Sequence, residues 1–212
     1  MTTYSINEIF YSLQGEGMRC GQMSVFVRFA GCNLRCRMEA ASDSPGGFDC
    51  DTEFVSSVKM TDKEILERAL ALVNKDQEWL EENPVWVVFT GGEPALQLTR
   101  ELVELFRQHN FRSAIETNGS RDVSALGLDW ITVSPKVAEH AIQQKTATEI
   151  KYVRGYGQGI PKPACIATFK LLSPAFNGLE LDQDALRWCI ELVRQNPDWR
   201  LSMQQHKQWR VR

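Results

Sequence analysis

Apolar and polar positions along this chain change period several times, from strand-like alternation to helical spacing and back. Residues 24–30, SVFVRFA, alternate and are rich in β-formers, so they predict a strand that delivers the chain to Gly31-Cys32. Thr61-Asp62-Lys63-Glu64 has the form of a capping box, and Ile65, Leu66, Ala69, Leu70 and Val73 follow at helical spacing. The run VWVVF at 85–89 predicts a buried strand stopped by Thr90-Gly91-Gly92, after which Leu98, Leu102, Leu105 and Phe106 mark one face of a helix reaching Asn110. Further strands are expected at 112–116, 130–133, 149–153 and 165–172. A last helix is expected over 182–195, capped by Asp182 and stopped by Asn196-Pro197, and a strand at 201–203 closes the pattern.

This alternation predicts an α/β fold with a mostly parallel sheet of about six strands and about three main helices. Right-handed crossovers then put the strand C-termini, with the polar motifs that follow them, on one edge of the sheet. So few units do not complete an eight-unit barrel, and an incomplete, splayed barrel is expected. No linker-like stretch divides the 212 residues, which read as a single domain.

Composition narrows the function classes. Hydrophobic residues make up 43% and charged residues 24%, and no apolar run approaches the roughly 20 residues of a membrane helix. A net charge of −3 without basic blocks gives no general attraction to nucleic acid or to a membrane. The opening MTTYSINEIF lacks a secretory pattern, so a cytoplasmic protein with reduced cysteines is expected. Of the six cysteines, Cys20, Cys165 and Cys189 are scattered and read as ordinary packing residues, whereas Cys32, Cys36 and Cys50 are clustered.

That cluster carries the strongest chemistry. Gly31-Cys32-Asn33-Leu34-Arg35-Cys36 is followed after thirteen residues by Cys50-Asp51-Thr52. Three thiolates can hold three irons of a four-iron cube and leave the fourth open, and the same thiolates with one more ligand suit a structural zinc; spacing alone does not separate the two. Phe89-Thr90-Gly91-Gly92-Glu93-Pro94 follows a strand, where glycines let backbone approach a ligand closely and the Glu93 carboxylate can pair with an ammonium. Tyr11-Ser12-Leu13-Gln14-Gly15-Glu16-Gly17 offers a donor and acceptor set suited to the amide-and-amine edge of a pterin or purine. Arg28 within an apolar strand calls for an anionic partner, either a ligand or a structural carboxylate.

Taken together and in this order, these segments resemble the 7-carboxy-7-deazaguanine synthase family of radical S-adenosylmethionine (SAM) enzymes. The resemblance begins at Glu8-Ile9-Phe10 and also covers Glu116 to Gly119, Val133 to Lys136, Glu149-Ile150-Lys151 and Trp199 to Lys207, and so runs from end to end. It implies a partial radical SAM β/α barrel and the conversion of 6-carboxy-5,6,7,8-tetrahydropterin to 7-carboxy-7-deazaguanine with loss of ammonia, in 7-deazapurine (queuosine) biosynthesis. A [4Fe-4S] cluster would sit on Cys32, Cys36 and Cys50, in a loop at 32–50 that is longer than the usual C-x3-C-x2-C. Bound SAM, acting as a reusable cofactor, would give the deoxyadenosyl radical that takes the substrate C6 hydrogen and returns it. By the same resemblance Thr52 would hold Mg2+, and Asp51, Gly92, Glu93, Glu116, Ser134, Pro135 and Lys136 would contact SAM. Leu13, Gln14, Gly15, Glu16, Arg28, Thr90 and His206 would contact the substrate. A homodimer and an electron donor such as a flavodoxin are further implications.

Three departures stand out: the long cluster loop, Ser173-Pro174 in place of the family's frequent Gln-Pro, and Gln205 with the ending Gln208 to Arg212. Two other readings compete. A radical SAM activating enzyme would act on a partner protein and need a groove rather than a pterin pocket. A zinc-stabilised binding module would leave the Thr-Gly-Gly-Glu-Pro segment without a purpose.

Overall fold

A single nine-stranded sheet runs from one end of the chain to the other in this computed structural model, which describes residues 2–34, 36, 53, 55–177 and 180–211. The strands are β1 (Thr3–Leu13), β2 (Met23–Phe29), β3 (Val58–Thr61), β4 (Trp86–Gly91), β5 (Arg112–Thr117), β6 (Trp130–Val133), β7 (Thr146–Arg154), β8 (Ile166–Pro174), the small pair β9 (Phe176–Asn177) and β10 (Glu180–Leu181), and β11 (Trp199–Leu201). The helices are α1 (Asp62–Val73), α2 (Gln77–Glu82), α3 (Arg100–Gln108), α4 (Gln183–Gln195) and α5 (Gln205–Trp209). The sheet order is β11-β8-β7-β6-β5-β4-β2-β1-β3, so it does not close, and every neighbouring pair from β11 to β2 is parallel. Only β1 runs the other way, pairing antiparallel with both β2 and the edge strand β3.

Strand alternation sorts the side chains between two faces. Val25, Val27 and Phe29 of β2, Val87 and Phe89 of β4 and Ile115 of β5 point to the helices, where Ile65, Leu66 and Ala69 of α1 and Leu102, Val103 and Phe106 of α3 cover them. Phe29, Phe89 and Phe106 are fully buried, each worth about 2 kcal/mol relative to exposure. A second cluster packs Cys189 and Leu192 of α4 on Ile150, Tyr152, Leu172 and Trp199. The intervening positions of the strands, among them Phe10, Phe26, Val88 and Ala114, face the concave side. Polar residues occupy that side further along the same strands, and this is where a ligand can sit.

The capping box forms as the sequence predicts: Thr61 Oγ1 accepts from Glu64 N at 3.3 Å, and Glu64 Oε2 accepts from Thr61 N at 2.7 Å. α1, α3 and α4 are the three main helices expected. The sheet is larger than the expected six strands because β1 and β3, at its antiparallel edge, were not expected. β1 lacks clean alternation, because its register shifts between Ile6 and Glu8 and because both of its faces are partly covered, with Ile9 and Tyr11 against the helices and Phe10 against Phe26. The last parallel strand is Trp199–Leu201 rather than 201–203, since Trp199 rather than Met203 reaches the core.

Candidate active site

The strand ends of β2, β4 and β5 meet a short segment that crosses the concave face. Gly91 sits at φ 124°, and a Cβ there would lie 2.2 Å from the carbonyl oxygen of Phe29. A Cβ on Gly92 would lie 2.0 Å from Gly31 O and 3.1 Å from Cys32 N. Both glycines are therefore required by backbone packed on backbone: Gly92 N donates to Phe29 O at 3.0 Å and Glu93 N to Gly31 O at 2.9 Å. The expected close approach is to the first turn of the cysteine loop. This places Gly92 against the backbone that carries Cys32.

Glu93 is fully buried. Its Oε1 accepts from Thr117 Oγ1 at 2.7 Å and from Ala95 N at 3.0 Å, and its Oε2 accepts from Asn118 N at 2.7 Å. Burial pushes this carboxyl above its ordinary value, opposed by the hydrogen bonds from Asn118, Thr117 and Ala95 and by Arg121. With two donors on one oxygen and one on the other, Glu93 ties the ends of β4 and β5 together and retains acceptor capacity on Oε2. Thr117 also accepts, through its carbonyl, from Ser134 N at 2.8 Å, and Lys136 Nζ donates to Ser134 Oγ at 3.0 Å, so the Ser134-Pro135-Lys136 turn joins the same group of strand ends.

The cysteine loop begins here. Cys32 and Cys36 are both half-buried, and Cys32 Sγ accepts from Leu34 N at 3.4 Å. Asn33 fixes the loop to the end of β5, accepting from Asn118 Nδ2 at 3.1 Å and donating to Ser120 Oγ at 2.9 Å. Two thiol side chains, an amide donor to one sulfur and a glycine-lined approach fit an iron-sulfur cluster. Cys50, Asp51 and Thr52 lie outside the described residues.

A cavity of about 1340 Å3 opens on the concave face. It brings together Leu13, Gln14, Gly15, Glu16, Arg28, Thr90, Glu116 and His206, which sequence alone scattered over nearly two hundred positions. Gln14 Nε2 donates to Glu116 Oε1 at 2.8 Å and Thr90 Oγ1 to Glu116 Oε2 at 3.1 Å, so Glu116, expected at SAM, is held between two residues expected at the substrate. Arg28 Nε meets Glu8 at 2.9 Å, which supplies its anionic partner within the chain. Phe10 and Phe26 line the same cavity with rings stacked 4.9 Å apart.

The Gln14 to Gly17 segment does not leave a parallel strand, as the expected single edge would require, because β1 is antiparallel to β2. It reaches the site by crossing the concave face and fastening to the far side. Met18 N donates to Glu149 Oε2 at 3.0 Å, Gly17 N to Ser202 Oγ at 2.9 Å, Gln204 Nε2 to Glu16 Oε1 at 3.2 Å and Gln205 N to Gly15 O at 2.9 Å. A Cβ at Gly15 would lie 2.3 Å from His206 Nδ1. The same Cβ would lie 2.6 Å from His206 Cβ, so Gly15→Ala is expected to push the start of α5 away together with the His206 ring and to raise KM about 10-fold, the worth of one hydrogen bond, in steady-state assays. An unchanged KM would remove His206 from the pocket's working wall.

Comparison with known proteins gives the family. Residues 13–126 match the family model described as a 4Fe-4S single cluster domain. The 7-carboxy-7-deazaguanine synthase of Nitratidesulfovibrio vulgaris is 38% identical over 97% of this chain and 97% of its own. That of Escherichia coli K12 is 32% identical over 96% of this chain and 97% of its own. The chain belongs to the 7-carboxy-7-deazaguanine synthase family. The crystal structure of QueE from Escherichia coli superposes with a TM-score of 0.65 at 26% identity, covering 95% of this chain and 93% of that one. The mostly parallel, open sheet is thus the radical SAM-type fold of the synthase family, and an iron-sulfur cluster and SAM are its cofactors.

Four residues in or behind the cavity wall escaped the sequence reading of roles. Glu8 and Phe10 lie on β1, in a matched stretch with no role attached, and the bulge hid which way each side chain faces. Glu149 and Lys151 were part of a matched stretch with no role attached; their spacing of two on a strand was the available signal, since it puts both on one face.

Proposed function

We propose that this chain converts 6-carboxy-5,6,7,8-tetrahydropterin to 7-carboxy-7-deazaguanine with loss of ammonia, in the cavity bounded by Gln14, Glu16, Arg28, Thr90, Glu116 and His206. The observation that carries the reading is that every residue expected at the substrate lines one cavity. The stacked Phe10 and Phe26 offer an apolar wall to a planar ring, Arg28 a guanidinium to its carboxylate, and Gln14 with Glu16 acceptors for its amide and amine N–H groups. In this reading Arg28 exchanges part of its contact with Glu8 for the substrate, and His206, backed by Gly15, closes the pocket.

Cys32, Cys36 and Cys50 are the proposed cluster ligands, and the bound cluster supplies the electron that begins the chemistry on SAM. Gly92, Glu93, Ser134, Pro135 and Lys136, joined through Thr117 and Gly31, are the proposed wall for SAM, with Glu116 and Asp51 completing it. Glu93 retains acceptor capacity for an ammonium group. Thr52 is the proposed ligand of Mg2+, and its neighbour in sequence, Glu53, lines the cavity. A single cytoplasmic domain acting as a homodimer, reduced by a flavodoxin-like donor, completes the proposal. No helix of the described residues is long and apolar enough to cross a membrane.

Replacing the ligands one at a time tests it. Cys50→Ala is expected to lose both iron and product formation, while Cys189→Ala, on the face of α4 buried against the sheet, keeps both. Product formation by a Cys50→Ala protein with its full iron content would overturn the ligand set.

A further inference from the structure

Behind the cavity wall lies a layer of charge that the proposed chemistry does not use. β7 alternates so that Glu149 and Lys151 share the concave face, and Lys151 does not line the cavity. Its ammonium pairs with Glu16, which does; the two side chains are 13% and 17% exposed. Glu116 and Glu149 also act on Lys151, so one ammonium serves three carboxylates from the crossing segment, β5 and β7. Glu149 is itself held by Thr132 Oγ1 at 2.8 Å and Met18 N at 3.0 Å. Below them Arg19 is 3% exposed, 4.6 Å above the Trp86 ring and 5.7 Å from that of Trp130, and is drawn by Glu116 and Glu149.

The consequence for Glu16 follows from its surroundings. Burial raises this carboxyl, but the charge and hydrogen bond of Lys151, with His206 and Gln204, overcome burial and leave it below its ordinary value. The remaining groups facing this cluster are Glu116, Glu149 and Arg19, with Cys20 beside Glu16 on the crossing segment. An ionised carboxylate only accepts hydrogen bonds, whereas a protonated one presents a donor. Without Lys151, burial would favour the protonated form, opposed by His206 and Gln204. The pocket's polarity would then be reversed at the point where a substrate N–H must be received.

We propose that Lys151 is a positioning residue of this site: from behind the wall it holds Glu16 as an acceptor-only surface, aimed at a substrate edge rich in N–H donors. The inference rests on the pterin reading of the cavity. The test is a double-mutant cycle on the cluster-loaded enzyme with Lys151→Met, Glu16→Gln and the pair. Lys151→Met is expected to raise KM about 10-fold with little change in SAM binding, and to move the acid limb of the kcat/KM profile to higher pH. In the Glu16→Gln background the same change is expected to cost less than about twofold, because the charge it served is gone. Lys151→Arg should keep the wild-type acid limb; should Lys151→Met lose iron or fail to fold, Lys151→Gln takes its place, and an Arg variant whose limb moved as far as that of Lys151→Gln would overturn the proposal. Equal losses from Lys151→Met in both backgrounds would show a merely structural lysine and overturn it as well. If the wild-type enzyme itself makes no product from the pterin, the reading of the substrate fails, not the pairing.

Discussion

Gly92→Ala should strip the protein of most of its cluster iron. A Cβ at this position would stand 2.0 Å from Gly31 O, 2.6 Å from Gly31 C and 3.1 Å from Cys32 N. All three are backbone atoms of the turn that carries the first cysteine ligand, so no side chain can swing aside to make room. Two hydrogen bonds, Gly92 N to Phe29 O and Glu93 N to Gly31 O, hold the same strands together and would lengthen with any shift. Overpacking of this kind costs about 1–3 kcal/mol. Here the strain is relieved by moving the loop of Cys32, so activity should fall further than stability. Gly159→Ala is the matched control, as nothing lies within 4 Å of its Cβ. The measurement is iron per chain after anaerobic reconstitution, with thermal unfolding alongside. Full iron at wild-type stability would mean that the backbone contact is not what shapes the cluster loop.

The second large effect is expected at Arg28. Its guanidinium lines the cavity and its Nε bonds Glu8, so Arg28→Ala removes the proposed partner of the substrate carboxylate and also leaves Glu8 facing the cavity without this cation. Losing one member of a partly buried charged pair costs about 2–5 kcal/mol, which at about 3 kcal/mol is a loss of ~100-fold in kcat/KM. The fall should be carried mainly by KM, because the contact is present in the bound ground state. Arg28→Lys should recover only part of it, since an ammonium cannot reproduce the guanidinium's paired donors. Steady-state kinetics in which Arg28→Ala stays within about threefold of wild type would exclude Arg28 from substrate binding.

Much of the frame behind these expectations is legible in the sequence, for physical reasons. The parallel strands β2, β4, β5 and β6 are short apolar runs, buried against helices on one face and ended by glycine or polar residues; the strand expected at 130–133 is β6 itself. α1 and α4 carry their own stop signals and begin at the predicted caps, Thr61 and Asp182. β1 was hidden because its bulge breaks the period of two, and with it went Glu8 and Phe10. Chemistry was legible where a residue type has few other uses, as with clustered cysteines or an arginine in an apolar strand. The roles of Gly91, Gly92 and Glu93 were only half legible: the string shows that backbone comes close there, but not that it approaches Phe29 and Gly31. Lys151 was illegible for a different reason, because its partner Glu16 lies 135 positions away and is met only after the crossing segment folds back.

The account stands most directly on turnover by the unmodified enzyme. Reconstituted anaerobically with iron and sulfide, reduced with dithionite, and supplied with SAM, Mg2+ and 6-carboxy-5,6,7,8-tetrahydropterin, it should release 7-carboxy-7-deazaguanine and ammonia, with many products formed for each SAM lost, as read by mass spectrometry. Cleavage of SAM without that product, or a colourless protein that binds zinc and leaves SAM intact, would contradict it.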